Sequence, residues 1–351
     1  MKSLKKLVTI APLLACAFAG SAQAMVINFT YAADMDQRAL AGFQAAADRW
    51  SSVLYDDVTV NLNIGFSVLG TGILGSTGST RAAVSYDTFR NALAADISSS
   101  LDRTAVSNLP QSSCLSVMMN GTAVNPNGPG SGTPFLDNNC NANNSTIRLT
   151  SANARAVGLL GANDPRSDGS ITFSSTFTWD FDPTNGVNSD AFDFIGVATH
   201  EIGHALGFVS GVDTLDTNRS GNFSDAAFTY IAPADLYRCS SASKAAGADL
   251  DFSADNRTKY FSLDDCGTSI ATFSTGVNFG DGRQASHWKD NLGIGILDPT
   301  AARGEVMAIS DIDLMMYDAI GWDTGEIPEP GTIALLGLGL AGMFGLRRRK
   351  A

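Results

Sequence analysis

Histidine is nearly absent from this chain: 351 residues contain three, His200, His204 and His287. Any site that needs three imidazoles must use them all. Cations are also few. Lys and Arg total 23 against 35 Asp and Glu, a formal charge of −12. Setting aside Lys2, Lys5 and Lys6 with residues 1–24, and the four cations and Glu329 of residues 328–351, deepens this to −18 over residues 25–327. So acidic a surface does not attract nucleic acid or an anionic membrane, and it favours solubility outside a cell. Cysteine is sparse and never spaced C-x-x-C, which argues against a cysteine zinc site. No internal repeat and no low-complexity domain is present.

The two ends do not belong to the fold. Residues 1–24 read as a secretory signal peptide, with Lys2, Lys5 and Lys6, an apolar run from Leu7 to Ala19, and the small-residue cleavage site Ala22-Gln23-Ala24. Cys16 falls inside this piece; a lipoprotein anchor there is the alternative, disfavoured by Leu14 two residues earlier. Four cysteines remain, Cys114, Cys140, Cys239 and Cys266. An even number in an exported chain implies disulfides. Of the three possible pairings, neighbour pairing is preferred, because it staples two loop-rich segments.

At the other end Pro328-Glu329-Pro330 precedes an uncharged apolar run, Gly331 to Leu346, and then Arg347-Arg348-Arg349-Lys350. Sixteen helical residues span about 24 Å, short of a hydrocarbon core of about 30 Å. The basic cluster would stay cytoplasmic. These three parts in this order resemble a PEP-CTERM sorting signal. The resemblance implies a Gram-negative bacterium, transient inner-membrane contact through the tail, and its removal near the Pro-Glu-Pro by an exosortase-type enzyme. The mature chain would then lie at the cell surface or outside the cell. An ordinary C-terminal membrane anchor is the alternative.

Between the ends, apolar spacing gives the elements. Ile27, Phe29 and Tyr31 alternate, and so do Val58, Val60, Leu62, Ile64 and Phe66, so both segments read as strands. Residues 37–55 between them carry a helical stripe of Leu40, Phe43, Ala47, Trp50 and Leu54. A strand–helix–strand start implies a parallel crossover. Residues 86–103 read as one helix through Phe89, Leu93, Ile97 and Leu101. Residues 106–145, rich in Asn, Gly, Pro and Ser, read as loop. Residues 171–179 alternate Ile171, Phe173, Ser175, Phe177 and Trp179 as a half-exposed strand, and residues 311–323 read as a closing helix.

The chemistry is concentrated in "HEIGHALGF", residues 200–208. Residues four apart on a helix lie about 40° apart around its axis, so His200 and His204 can reach one metal. Glu201, displaced by about 100°, can reach a water on that metal without binding it. Neutral imidazoles suit Zn2+, which acidifies its bound water, and a carboxylate can move the proton from water to a leaving amine. Phe194, Ile195, Val197, Ala198, Ile202, Ala205 and Leu206 surround these polar groups with apolar helix. Buried polar groups without partners would be costly there. Two histidines do not complete a catalytic zinc site, and the one remaining candidate imidazole is His287, in "QASHWKD". Asp213 or a downstream acid is the alternative third ligand. Asp216, Asn218 and Ser220 before Gly221 resemble part of a Ca2+ loop, although position 227 is Ala rather than a closing Glu.

The motif with its glycine turn at Gly207, and a distant third His in a short Ser-His segment, resembles leishmanolysin-like metzincins. The usual third ligand of metzincins would fall at Ser210, a poor ligand; residues 208–286 would be the insertion. The resemblance implies an α+β, zincin- or metzincin-like fold, a twisted mixed sheet with an active-site helix and a smaller C-terminal subdomain. It implies Zn2+ on His200, His204 and His287, with Glu201 as general base. It also implies that the strand at 171–179 pairs with an extended protein or peptide substrate. The family's methionine turn corresponds to Ile296-Leu297-Asp298-Pro299, with Met307 ten residues after Leu297. The expected organisation is a signal peptide at 1–24, an N-terminal catalytic subdomain at 25–207, a C-terminal subdomain at 208–327 and the tail at 328–351. The expected function is zinc-dependent endopeptidase. The alternative is a non-catalytic surface or biofilm-matrix protein with a structural zinc site.

Overall fold

Alternating apolar residues pair into the parallel part of one sheet. The computed structural model describes residues 25–325; the signal peptide, Cys16 and the Pro-Glu-Pro tail with its apolar run lie outside the described residues. Strand Val26–Thr30 lies beside Thr59–Ser67, then comes Gly169–Ser174, and Gly75–Ser79 closes the order. The first three are parallel, with Ile27 opposite Val60 and Ile64 opposite Ile171. The fourth runs antiparallel, with Thr77 opposite Ile171. Ile27, Val60, Leu62, Ile64, Ile171 and Phe173 are all buried.

Two helices pack with this sheet, Gln37–Ser51 and Phe194–Leu206. Their close approach depends on Gly42, where a Cβ would stand 2.5 Å from the Phe194 ring. Phe43 meets Phe173 and Phe194 edge-on at centroid distances of 5.0 and 5.2 Å. Offset and edge-on aromatic pairs of this kind add to the burial that holds such layers together.

Several sequence expectations change. The stripe over 86–103 belongs to two helices, Tyr86–Asp96 and Ser100–Ser107. Ile97 leaves helical geometry, and Ser99 caps the second helix by accepting from the Asp102 amide. The strand expected over 171–179 ends at Ser174 and is paired on both sides. The edges of the sheet among the described residues are therefore Val26–Thr30 and Gly75–Ser79, not the segment 171–179. Residues 106–145 contain short paired strands, Val117–Met119 and Phe135–Asp137, with Cys114 bonded to Cys140. Cys239 is bonded to Cys266, so the neighbour pairing holds at both bridges.

The segment resembling a Ca2+ loop is different in kind. Asp216 lies in helix Val212–Asn218, and its carboxylate accepts from the Asn278 and Phe279 amides at 2.8 and 2.9 Å. Those bonds hold the 278–279 turn, while the Asn218 side-chain amide donates to Thr214 O and the Ser220 hydroxyl to Asn218 O. The closing helix, Asp311–Ala319, packs back onto Ser100–Ser107. One apolar cluster runs from Met25 to Trp322, through residues of both expected subdomains. No helix among the described residues is long and apolar enough to cross a membrane.

Candidate metal centre

The motif helix starts and stops on single residues. Asp193 caps it, accepting from the Gly196 amide at 2.8 Å, and Gly207 ends it at a φ of +131° that disfavours other residues. Three buried aromatic side chains grip its backbone. Trp50 donates from Nε1 to Thr199 O at 2.8 Å, Tyr317 donates from its hydroxyl to Gly203 O at 2.7 Å, and Trp322 donates from Nε1 to Leu206 O at 2.9 Å. Gly203 is required, since a Cβ there would stand 2.7 Å from the Tyr317 oxygen.

His200 and His204 project from one side of this helix, with Nε2 atoms 3.1 Å apart. His287 comes from a segment with no helix or strand and brings its Nε2 to 3.2 Å from His204 and 3.3 Å from His200. Each ring is oriented from behind. Nδ1 of His200 donates to Ile296 O at 2.7 Å, that of His204 to Phe208 O at 2.7 Å, and that of His287 to Gln284 O at 3.2 Å. A carbonyl only accepts, so each Nδ1 carries the hydrogen and each Nε2 turns a lone pair inward. Burial first, and then the neighbouring imidazoles, bring His204 down to about 3 and His287 well below the usual imidazole range. Neutral rings are what metal binding requires. Ligand nitrogens on a tetrahedral centre with bonds of about 2.05 Å lie about 3.3 Å apart, so the three observed spacings fit a small divalent ion.

Glu201 lies beside this cluster, buried against the edge strand. Its Oε2 accepts from Thr77 Oγ1 at 2.6 Å, and a Cβ on Gly75 would stand 2.6 Å from Oε1. Burial raises its pKa above the usual carboxylate value, against the opposing pull of His200 and the Thr77 hydrogen bond.

Other residues singled out in the sequence take different places. Ser210 donates to Asp235 Oδ1 at 2.6 Å and is not a ligand. Asp213, the alternative third ligand, faces the Ala285 and Ser286 amides at 2.6 and 3.3 Å, outside the imidazole cluster. Burial lifts its carboxyl to about 6, with the Ser286 and Ala285 hydrogen bonds pulling the other way. Leu297 is fully buried, with Cδ2 3.2 Å from a Cβ position on Gly203, while Met307 packs at Gly196, two turns earlier. The turn beneath the motif therefore carries leucine. Its neighbour Ile296 supplies the carbonyl that orients His200.

Three contributors escape sequence reasoning. Gly75 and Thr77 sit in a five-residue strand of Gly, Ser and Thr with no apolar alternation to signal it. Asp313, buried in the closing helix, accepts from Trp288 Nε1 at 2.8 Å and from the Ile296 amide at 2.8 Å. It ties the residue after His287 to the turn that orients His200. The only signal for it was its place in the capping pattern Ser310-Asp311-Ile312-Asp313 at a helix start.

No curated protein and no solved structure gives a significant match to this chain. Residues 326–350 match the PEP-CTERM protein-sorting motif. The chain is therefore marked for export and for C-terminal processing by an exosortase-type enzyme, which places the mature protein at the cell surface or outside the cell.

Proposed function

We propose that the mature protein is a secreted zinc-dependent endopeptidase of the metzincin type. The observation that carries this reading is the trio of inward-facing Nε2 atoms, 3.1–3.3 Å apart, with a buried glutamate on the same helix. An all-imidazole donor set suits zinc and excludes the oxygen-seeking ions Ca2+ and Mg2+. A zinc ion held there would supply Lewis acidity toward a carbonyl and toward water.

The chain's own residues supply the rest. Glu201 is the general base, and its raised pKa moves it toward the operating pH, where a proton can be taken and returned. Thr77 holds one carboxylate oxygen, which fixes the orientation of the other. Strand Gly75–Ser79 has a neighbour on one side only among the described residues. An extended peptide adding to its free side would run its backbone past Gly75 and Thr77, and so past Glu201. Gly75 leaves the space that the Glu201 carboxylate occupies.

The test compares zinc-loaded wild type with Glu201→Gln on casein. Wild type is expected to cleave, and the variant to lose about 10²–10⁴-fold in kcat/KM while keeping its zinc. A zinc-loaded wild type that cleaves neither casein nor a panel of unfolded proteins contradicts the proposal and favours the structural zinc site of a surface protein.

A further inference from the structure

We infer that Asp213 is a positioning residue for the metal centre: it sets metal affinity by fixing the segment that carries His287, without itself being a ligand. The inference rests on reading the three imidazoles as a metal site and is independent of any proteolytic activity.

His287 lies 83 residues beyond His204, in a stretch outside any helix or strand, with only isolated antiparallel bridges at Arg283 and Trp288. A ligand on such a stretch must be ordered before it binds, or the ordering entropy is subtracted from the affinity. Asp213 is placed to do that ordering. It stands in the first turn of helix Val212–Asn218, shortly after the turn that ends the motif helix, and so moves with His204. Its carboxylate accepts from the Ala285 amide at 2.6 Å, from the Ser286 amide at 3.3 Å and from the Ser286 hydroxyl. All three donors belong to the two residues directly before His287. The Ser286 oxygen in turn accepts from the Ser210 amide at 2.8 Å. The near ligand pair and the far ligand are thus tied by one closed ring through Ser210, Ser286 and Asp213.

A capping role would explain an aspartate in a first turn, but this helix start has no side-chain cap. Every hydrogen bond the carboxylate makes among the described residues goes to the ligand-bearing segment instead. Arg238 grips the same segment from another side, donating to Ala285 O at 3.3 Å and to Ser274 O at 2.6 Å. Asp213 and the Ser210 amide connect it to the chain that follows His204, and Asp213 supplies the acceptor for three of the four bonds.

The experiment measures dissociation constants for Zn2+ and Co2+ by chelator competition, with the melting temperature of each metal-free protein recorded alongside. His287→Ala sets the largest loss the site can show. Asp213→Ala is expected to weaken binding about 10–100-fold, the range for residues that orient metal ligands. Asp213→Asn, which keeps the shape and one acceptor, is expected to fall between, and Ser286→Ala to weaken binding less. The Co2+ absorption bands of the Asp213 variants are expected to shift toward those of His287→Ala. An Asp213 variant with a lowered metal-free melting temperature but wild-type affinity and spectrum overturns the inference. If Asp213→Ala does not fold, Asp213→Asn decides alone: unchanged affinity overturns it. A wild type that binds neither ion contradicts the metal-centre reading itself, and this shows before any variant is made.

Discussion

The two sides of the candidate metal centre are held by different means. His200 and His204 take their geometry from a helix repeat, and that helix is gripped from its core side by Trp50, Tyr317 and Trp322. His287 has no repeat to rely on. Its segment is held by the carboxylates of Asp213 and Asp313, by the Arg238 guanidinium, and by Trp288, which is buried and bridged to Phe273. Both sides have buried aromatic anchors, but the backbone geometry of the first comes from a helix repeat and that of the second depends more on polar networks. Damage to the helical side should therefore cost the fold, and damage to the loop side should cost the metal.

The largest effect on stability is expected at Trp50, which is fully buried. Trp50→Ala should destabilise by about 3–5 kcal/mol, read by urea unfolding, with near-normal metal affinity in whatever protein remains folded. A large affinity loss without destabilisation would break the comparison. Replacing Cys239 and Cys266 by Ser should cost about 2–4 kcal/mol. Cys239 follows Arg238, which donates to Ala285 O, so this pair should also lower metal occupancy more than replacing Cys114 and Cys140. Equal occupancy in the two double variants would contradict that.

The smallest effect is one of pH. Burial first, and then a neighbouring carboxylate, Asp323 for the first two and Asp318 for the third, lift Asp56, Asp96 and Asp102 to about 7 each. A folded pKa above the unfolded one means that the folded chain binds more protons. The resulting stability is fully present below about pH 4 and is lost as pH rises through about 7. The metal-free protein should therefore melt higher at pH 6 than at pH 8.5, and Asp56→Asn should flatten the trend. A melting temperature that rises with pH over this window would contradict it.

The same division explains what could be read from the sequence. The juxtaposition of His200 and His204 was legible because four-residue spacing maps directly onto one helix face. His287 was legible through scarcity, as the last imidazole in the chain. The parallel strands showed in the alternation of Val60, Leu62 and Ile64, whose side chains face the core. What escaped is polar and long-range. Gly75–Ser79 forms a strand through its pairing with Gly169–Ser174, with no apolar pattern of its own. The break at Ile97 was masked because the apolar stripe continues across it, although Ser99 marked the new cap. Asp213 was noticed as an acid near the motif, but a carboxylate that binds metal and one that binds amides look alike in sequence. Only the fold puts the Ala285 and Ser286 amides in front of it.

The convergence of the two sides on one ion is tested most directly by counting metal. Purified wild type and His287→Ala are each equilibrated with excess zinc, desalted and analysed for zinc per chain. About one ion per wild-type chain and loss of it from the variant is the predicted result, because two imidazoles alone do not complete the site. Full zinc retained by His287→Ala, or none held by wild type, would contradict the account.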